Sequence, residues 1–407
     1  MLSLIRRYPY LLGFCILSAA ASGPGQTYFI SLIIPLLRAD LELSRTAVAA
    51  LYSIGTVLSA CMVPLLGKAL DRQPLRLVSG TAVLGVVAGL VTLGASTGAS
   101  TLLAAFVLLR FFGQSGQSLQ ATTTAARHFS KQRGKALGIT SIGWPLAEMA
   151  LPFIIALLIK SLGWRYSLFA FAAIYGLTIL ASTQSLLMLT PTEAGSQRAV
   201  KQNKATRSWT VAEVFQDWRA YLFLATTFAP PFMLTGIFFH QGTLASLKGW
   251  SSAAIPTGFF AFGLCRGLSS LAVGPIIDRL TAKALFGFQL IPSLAASLIL
   301  AYGNHPLTAV AAFGLFGLTI GLGGPIRGAL WAEVYGVENL GAINGFGAAW
   351  AVFSTAISPF IFGVALDGGI SWEGLMLSQF ALAATCLVLG RIGSRAATPA
   401  AVQPASS

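Results

Sequence analysis

A chain of 407 residues could hold two or three soluble domains, but 55% of its residues are hydrophobic, only 9% are charged, and mean hydropathy is +0.76. Soluble domains carry roughly 25% charge, so the composition excludes an ordinary soluble protein and predicts a chain solvated mostly by lipid. The net charge of +14 is scattered over short loops between apolar runs, as membrane orientation requires. It does not gather into a nucleic-acid patch, so nucleic acid is not an expected partner.

In chain order, Arg6 and Arg7 precede an apolar run too long for a signal peptide and without a convincing small-residue cleavage site. It predicts a retained first transmembrane helix. Twelve apolar runs are long enough to cross the hydrocarbon core as helices. They lie near 9–36, 44–66, 76–97, 101–125, 136–159, 166–188, 219–243, 252–275, 284–302, 306–330, 341–365 and 374–392. The first is interrupted at Ser22 to Thr27 by S-G-P-G-Q-T, and backbone groups freed by such a break must find protein or cavity water. Pro191 to Asp217 is the long polar stretch and predicts a linker, while the Ala, Pro and Ser tail predicts disorder. The expected organisation is an N-terminal six-helix bundle over 1–190, a cytoplasmic linker over 191–217, a C-terminal six-helix bundle over 218–395 and a disordered tail over 396–407. The fold class is an all-α integral membrane protein.

Cys15, Cys61, Cys265 and Cys386 each fall inside an apolar run, without CxxC or metal-ligand spacing, and the three histidines are scattered. No metal or other cofactor is expected. A G-x-x-x-x-G-K-[ST] phosphate loop is missing, so ATP is not the driver, and no soluble stretch could house catalysis. The chain is not expected to be an enzyme.

With the N-terminus inside, 18 of the 26 Lys and Arg residues fall on the inner side and five on the outer. That asymmetry places both termini in the cytoplasm, and the expected location is a bacterial inner membrane. Arg110, Arg266 and Arg327 lie within spans.

The two halves repeat. G-K-A-L-D-R-Q-P-L-R at Gly67 to Arg76 is echoed 207 residues later by G-P-I-I-D-R-L-T-A-K at Gly274 to Lys283. The same shift superimposes Pro24 on Pro231, Gly116 on Gly323, Gly134 on Gly341 and P-F-I at Pro152 on P-F-I at Pro359. Six helices per half keep the copies in one orientation, so they should be related by an axis along the membrane normal, with a substrate site between them near the midplane. In these respects the sequence resembles the major facilitator superfamily over essentially its whole length. The family's loop signature is matched by Gly67, Asp71, Arg72 and Arg76, with Pro74 near where the family usually has Gly. The resemblance implies that Asp71 bonds across to the other half in the outward-facing state. It makes these residues gating candidates, together with Asp278 and Arg279 of the second copy.

Ionisable groups at bilayer depth cost at least ~2.5 kcal/mol each and are functional candidates by default. Arg110, in L-L-R-F-F-G-Q-S-G, resembles the superfamily's fourth-helix motif, although Gln and Gly stand as Gly113-Gln114. It is a substrate-binding candidate, or a structural Arg satisfied by carbonyls. Glu148 lies fourteen residues beyond Gly134, about 21 Å along a helix. A lone mid-depth acid is the proton-coupling candidate, and Arg110 on the preceding helix is its expected partner; the alternative is a fixed pair that only holds helices together. Arg266, with no acid in its own span, should face a polar cavity and is the second anion-binding candidate. Monocarboxylate and oxalate/formate carriers, to which the chain is distantly similar, also have an Arg in the eighth helix; their usual Asp four residues earlier is Phe262 here. Arg327 is expected to form an inner gate with Glu333. The superfamily's cavity-lining first and seventh helices imply Gln26 and Tyr28 as cargo contacts, with His240 weaker and Phe238, Phe239 and Trp350 assigned to packing.

Three intramembrane arginines against one Glu favour an anionic cargo. The expected function is therefore secondary transport of a small organic solute, such as a carboxylate, by alternating access. Protons or a counter-anion would drive it, and the working unit would be a monomer in lipid. The alternative is efflux of drugs or siderophore-like metabolites by proton antiport, though the G-P-x-x-G-G pattern of drug antiporters is absent from G-I-T-S-I-G-W-P. A non-transporting sensor on the same fold is disfavoured by the lack of a signalling domain.

Overall fold

A computed structural model describes residues 2–129, 132–190, 209–251, 253–336 and 339–397. Among them every regular element is helical. The first apolar run is not one helix. α1 (Pro9–Ala21) gives way to a tight turn over Gly23–Gly25, an extended Gln26 and a single helical turn, before α2 (Ile34–Leu41) resumes. α2 ends at Glu42, whose φ of 53° is left-handed. α3 (Arg45–Arg72) follows, its first turn capped by the Ser44 hydroxyl, which accepts from the Ala47 amide at 3.0 Å. Then come α4 (Leu75–Gly94) and α5 (Ala99–His128), the latter widened into a π-helical stretch over Leu109–Gln117. The fifth and sixth runs are one hydrogen-bonded stretch, but Gly163 has φ 74° and ψ 165°, so the chain bends there into α6 (134–162) and α7 (164–188).

A short helix, α8 (Val211–Gln216), leads into α9 (Trp218–Phe239), α10 (Ala254–Leu280), α11 (Phe288–Tyr302), α12 (Leu307–Tyr335), α13 (Leu340–Asp367) and α14 (Trp372–Ala396). Nine stretches among the described residues are long and apolar enough to span a membrane, one of them the α6–α7 pair. The first and ninth predicted runs fall instead in the broken segment and in the shorter α11.

Packing explains the break in the first run. A Cβ on Gly25 would lie 2.3 Å from the Gln114 nitrogen and the Leu109 oxygen, so two backbones meet where no side chain fits. The Gly25 carbonyl freed by the break accepts from Arg110 Nη1 at 3.3 Å. Gly25→Ala would therefore push α5 off the first segment. The expected cost is ~1–3 kcal/mol, visible as a lower unfolding midpoint; an unchanged midpoint would show that the approach is looser than drawn. The aligned prolines behave differently in the two halves. Pro24 sits in the break, whereas Pro231 lies inside the continuous helix α9, and Pro152 and Pro359 are both helical.

Two ends of the molecule can be told apart by their contacts. Asp71 meets Arg127, and Tyr8 packs on Phe129 at 5.3 Å. Arg219 Nη1 donates to the Ala396 carbonyl, and Lys283 Nζ to that of Ala397. α6 and α10 run antiparallel, Gly263 against Met149 and Gly267 against Pro145, which puts these groups at one end, here the terminal face. The opposite end, the distal face, holds Asp40 with Arg165 and Lys248 with Asn304.

The predicted linker falls largely on residues 191–208, outside the described residues. Its end is a built structure rather than free chain. Trp209 donates to the Tyr335 carbonyl at 2.9 Å and accepts from Asn339 at 2.9 Å, and the Arg219 guanidinium stands 5.7 Å over its ring. Asp217 takes Arg219 Nε at 2.9 Å and the Tyr335 hydroxyl at 2.8 Å. Burial pushes the Asp217 carboxyl upward, but the bonds from Arg219 and Tyr335 outweigh it and hold the group below the ordinary range. The predicted tail from Ala396 begins a residue early, since α14 includes Ala396, and 398–407 lie outside the described residues.

Candidate functional site

Glu148 and Arg266 meet. The Arg266 guanidinium donates to Glu148 Oε1, joining α6 in the first half of the chain to α10 in the second. The sequence-based pairing of Glu148 with Arg110 is thus corrected. Small residues allow the cross-half contact: Gly263 and Gly267 let α10 lie directly on Pro145 and the Glu148 Cβ. The Glu148 side chain keeps 6% of its surface and that of Arg266 24%, so the cation is the member open to a visitor. Oε2 of Glu148 is buried and has no hydrogen-bond partner among the described residues. Tyr28, 5% exposed, lies within electrostatic range of both charges, and its hydroxyl would stand 2.7 Å from a Cβ on Gly23. Tyr28, Glu148 and Arg266 therefore form one cluster where the halves touch.

Arg110 belongs elsewhere. It is 1% exposed, held by the Gly25 carbonyl and lying 5.0 Å beneath the Tyr52 ring, with Nε and Nη2 unpartnered among the described residues. Tyr52 bonds Thr27 at 2.7 Å and packs on Phe239 across the halves at 4.9 Å. Gln26 is half-buried and donates to Ser22 Oγ at 3.3 Å, beside the break rather than on the charge pair.

Toward the distal face the halves are latched. Asp367, at the end of α13, accepts from the Thr46 amide at 3.0 Å and its hydroxyl at 2.8 Å, and stands 3.5 Å from Arg45. Gln241 donates to Ser31 Oγ at 2.8 Å, and Gly242 leaves room for Pro35. All these contacts lie between the Glu148–Arg266 pair and the distal face. Asp71, expected to bond across the halves in the outward-facing state, is here held by Arg127 of its own half. In this structure the two halves are thus in contact on the distal side of the charge pair.

Sequence reading gave Asp367, Arg45 and Thr46 no functional role, although Arg45 and Thr46 fall at the start of the predicted run 44–66. Asp367→Asn keeps the shape and removes the charge. Weakening one charge-assisted bond and a part-exposed pair costs about 1–2 kcal/mol, so the distally open population should rise ~10-fold. Maleimide labelling of a cysteine at Ser31 measures this, and unchanged labelling would remove Asp367 from the latch.

The profile of the Major Facilitator Superfamily matches residues 11–264. This chain belongs to the Major Facilitator Superfamily. Among curated proteins none matches the sequence. Among solved structures, that of the nucleoside transporter NupG aligns with 95% of this chain and 98% of its own, at a TM-score of 0.70 and 15% identity. A mutant of the same transporter aligns over 95% and 99% at 0.69 and 15%. At that identity the likeness shows the fold, that of a multi-pass membrane transporter of this superfamily.

Within that fold the gating candidates divide. Gly67 has open space where a Cβ would stand, Arg72 is exposed, and Arg76 exchanges bonds with Gln184 at 3.3 and 3.0 Å. Arg279 is exposed, and the Asp278 side chain lies outside the described set. The expected Arg327–Glu333 pair is corrected. Glu333 instead accepts from the amides of Ala282 and Lys283, at 2.8 and 3.1 Å, capping the turn after α10. His240, the weaker cargo candidate, is buried, its Nε2 donating to the Pro359 carbonyl at 2.9 Å. Phe238 packs among Phe259, Phe262 and Phe313, as expected of an aromatic core.

Proposed function

We propose that this transporter carries a small organic anion, a carboxylate being the favoured class, by alternating access with Glu148 as its proton site. The observation that carries the proposal is the ion pair between Arg266 and Glu148 across the halves. While Glu148 is ionised it occupies Arg266. Protonation neutralises the acid and leaves the guanidinium with free donors in a partly dry site, where a carboxylate is the matching bidentate guest. Proton and anion then enter together, and a monoanion crosses without net charge. Tyr28 contacts the cargo beside the pair, Gln26 lines the path at the break, and Arg110 supplies positive potential from behind Tyr52.

The terminal face is the cytoplasmic one by the distribution of Lys and Arg, in a bacterial inner membrane, so this conformation is closed to the outside. In the opposite state Asp71, with Arg72 and Arg76, exchanges its Arg127 contact for the second half, where Asp278, Arg279, Arg327 and Glu333 stand near the cytoplasmic ends.

Purified protein in liposomes with an acid exterior tests the reading. Uptake of a labelled monocarboxylate should follow the proton gradient and fall in Arg266→Ala with weakened apparent affinity. Uptake of a nucleoside instead, or a carboxylate affinity unchanged in Arg266→Ala, would overturn it.

A further inference from the structure

Arg327, on α12, makes no hydrogen bond or ion pair among the described residues and is half-buried. Unlike those of Arg110, its nitrogens are open to solvent, yet protein surrounds the side chain, so it stands in a recess. Glu333, the acid that follows it on the helix, is spent on the amides of Ala282 and Lys283. Arg327 follows Phe313 by two heptads, and that ring packs inward on Phe238 and Phe259. The exposed Ala311 is about 160° away round the helix. The guanidinium therefore starts from the inner face of α12 and not from its lipid side.

That recess opens toward the terminal face. Gly317, Gly321, Gly324 and Gly328 recur at the four- and three-residue steps that keep to one side of a helix. The first two lie flush on α10, against the carbonyls of Phe262 and Arg266. A Cβ on either of the last two would meet nothing within 4 Å, and Gly324 is exposed. α10 and α12 run parallel, since Gly258 packs on Phe313 as Gly317 does on Phe262, so the open end lies on the terminal side. Beyond Gly267 and Pro145 on that side, no hydrogen bond, ion pair or ring contact among the described residues joins the halves. Gly321 marks the level of Arg266, and Arg327 stands about 9 Å further along the axis. The 207-residue repeat puts Gln120 at the corresponding place of the first half. Gln120 is buried and donates to Gln117 Oε1 and Ser18 Oγ, so the fold is built there without a charge. A cation at bilayer depth is costly, and fold geometry does not account for this one.

We propose that Arg327 forms a second anion site, a station for a carboxylate between the Glu148–Arg266 pair and the terminal face. Its planar fork of donors takes a carboxylate bidentately. An anion leaving Arg266 then passes to another cation before it reaches water, and one arriving from the terminal side is concentrated at the mouth of the path. The identity of the solute rests on the anion reading of the central pair, whereas the position and charge of the station are tested apart from transport.

The test uses full-length protein in nanodiscs, with Cys15, Cys61, Cys265 and Cys386 replaced by alanine. Gly324→Cys supplies a reporter in open space one turn from Arg327, and Gly328→Cys a second. Labelling rates with an anionic and a cationic methanethiosulfonate are compared, each divided by its rate with a free thiol. The expected result is an anionic preference of at least ~10-fold, lost in Arg327→Gln and restored in Arg327→Lys. Succinate should slow labelling saturably, beyond sodium chloride at matched ionic strength. Its apparent affinity should be at least ~10-fold weaker in Arg327→Gln and should persist in Arg266→Ala. No labelling at either cysteine, a preference unchanged in Arg327→Gln, equal succinate protection there, or loss of protection in Arg266→Ala would overturn the site. Preference and protection intact in a protein that takes up no carboxylate would uphold the site and reject the cargo reading alone.

Discussion

Glu148→Gln is expected to abolish uptake driven by a pH gradient while leaving exchange of labelled for unlabelled cargo intact. Glutamine keeps the size of the side chain and an oxygen that still accepts from Arg266, so the contact between α6 and α10 survives. It removes the one proton that the site can take up and release. The guanidinium is then held by a neutral acceptor and stays available to an anion throughout the cycle, which satisfies exchange but uncouples cargo from protons. Gradient-driven uptake should fall to the level of empty liposomes, and counterflow should remain within about twofold of the wild type, a difference of ~0.4 kcal/mol. Losing both activities together with a depressed unfolding midpoint would mean that the pair merely fastens two helices.

Much of the scaffold was legible because lipid imposes a simple pattern. Apolar runs of about 20 residues, interrupted by Arg, Lys and Asp, located nearly every helix, and the break at Ser22 to Thr27 was visible in its Gly and Pro. The runs misjudged were those where tertiary contact overrides length: the first segment, fitted around Gly113, and α11, which spans only 288–302. At the site, the identities of Glu148 and Arg266 stood out as charges in apolar sequence, but not their union. Pairing Glu148 with Arg110 assumed that helices adjacent in sequence supply the nearest charge. Two glycines on α10 instead bring the other half of the chain closer. The Asp367 latch had no sequence signal, since an acid at a helix end beside a loop is commonplace. Its meaning lies in facing Thr46 from 321 residues away.

The second large effect concerns the cation. Removing one member of a buried pair typically costs ~3–5 kcal/mol, because the other charge stays behind uncompensated. Arg266→Gln should show such a loss, since Glu148 already has one oxygen without a partner among the described residues and would lose its counter-charge. The effect should shrink as pH falls far enough for Glu148 to protonate, which relieves the stranded charge. Combining Arg266→Gln with Glu148→Gln replaces two charges by two amides of compatible shape, so most of the lost stability should return. Transport should not return, because neither an anion receptor nor a proton site is left. The pair is thus tested by its non-additivity: stability recovers in the double variant while function does not. If the two single costs simply add to that of the double, within ~0.5 kcal/mol, the residues are energetically independent. A proton on Glu148 would then have no means of releasing Arg266 to an anion.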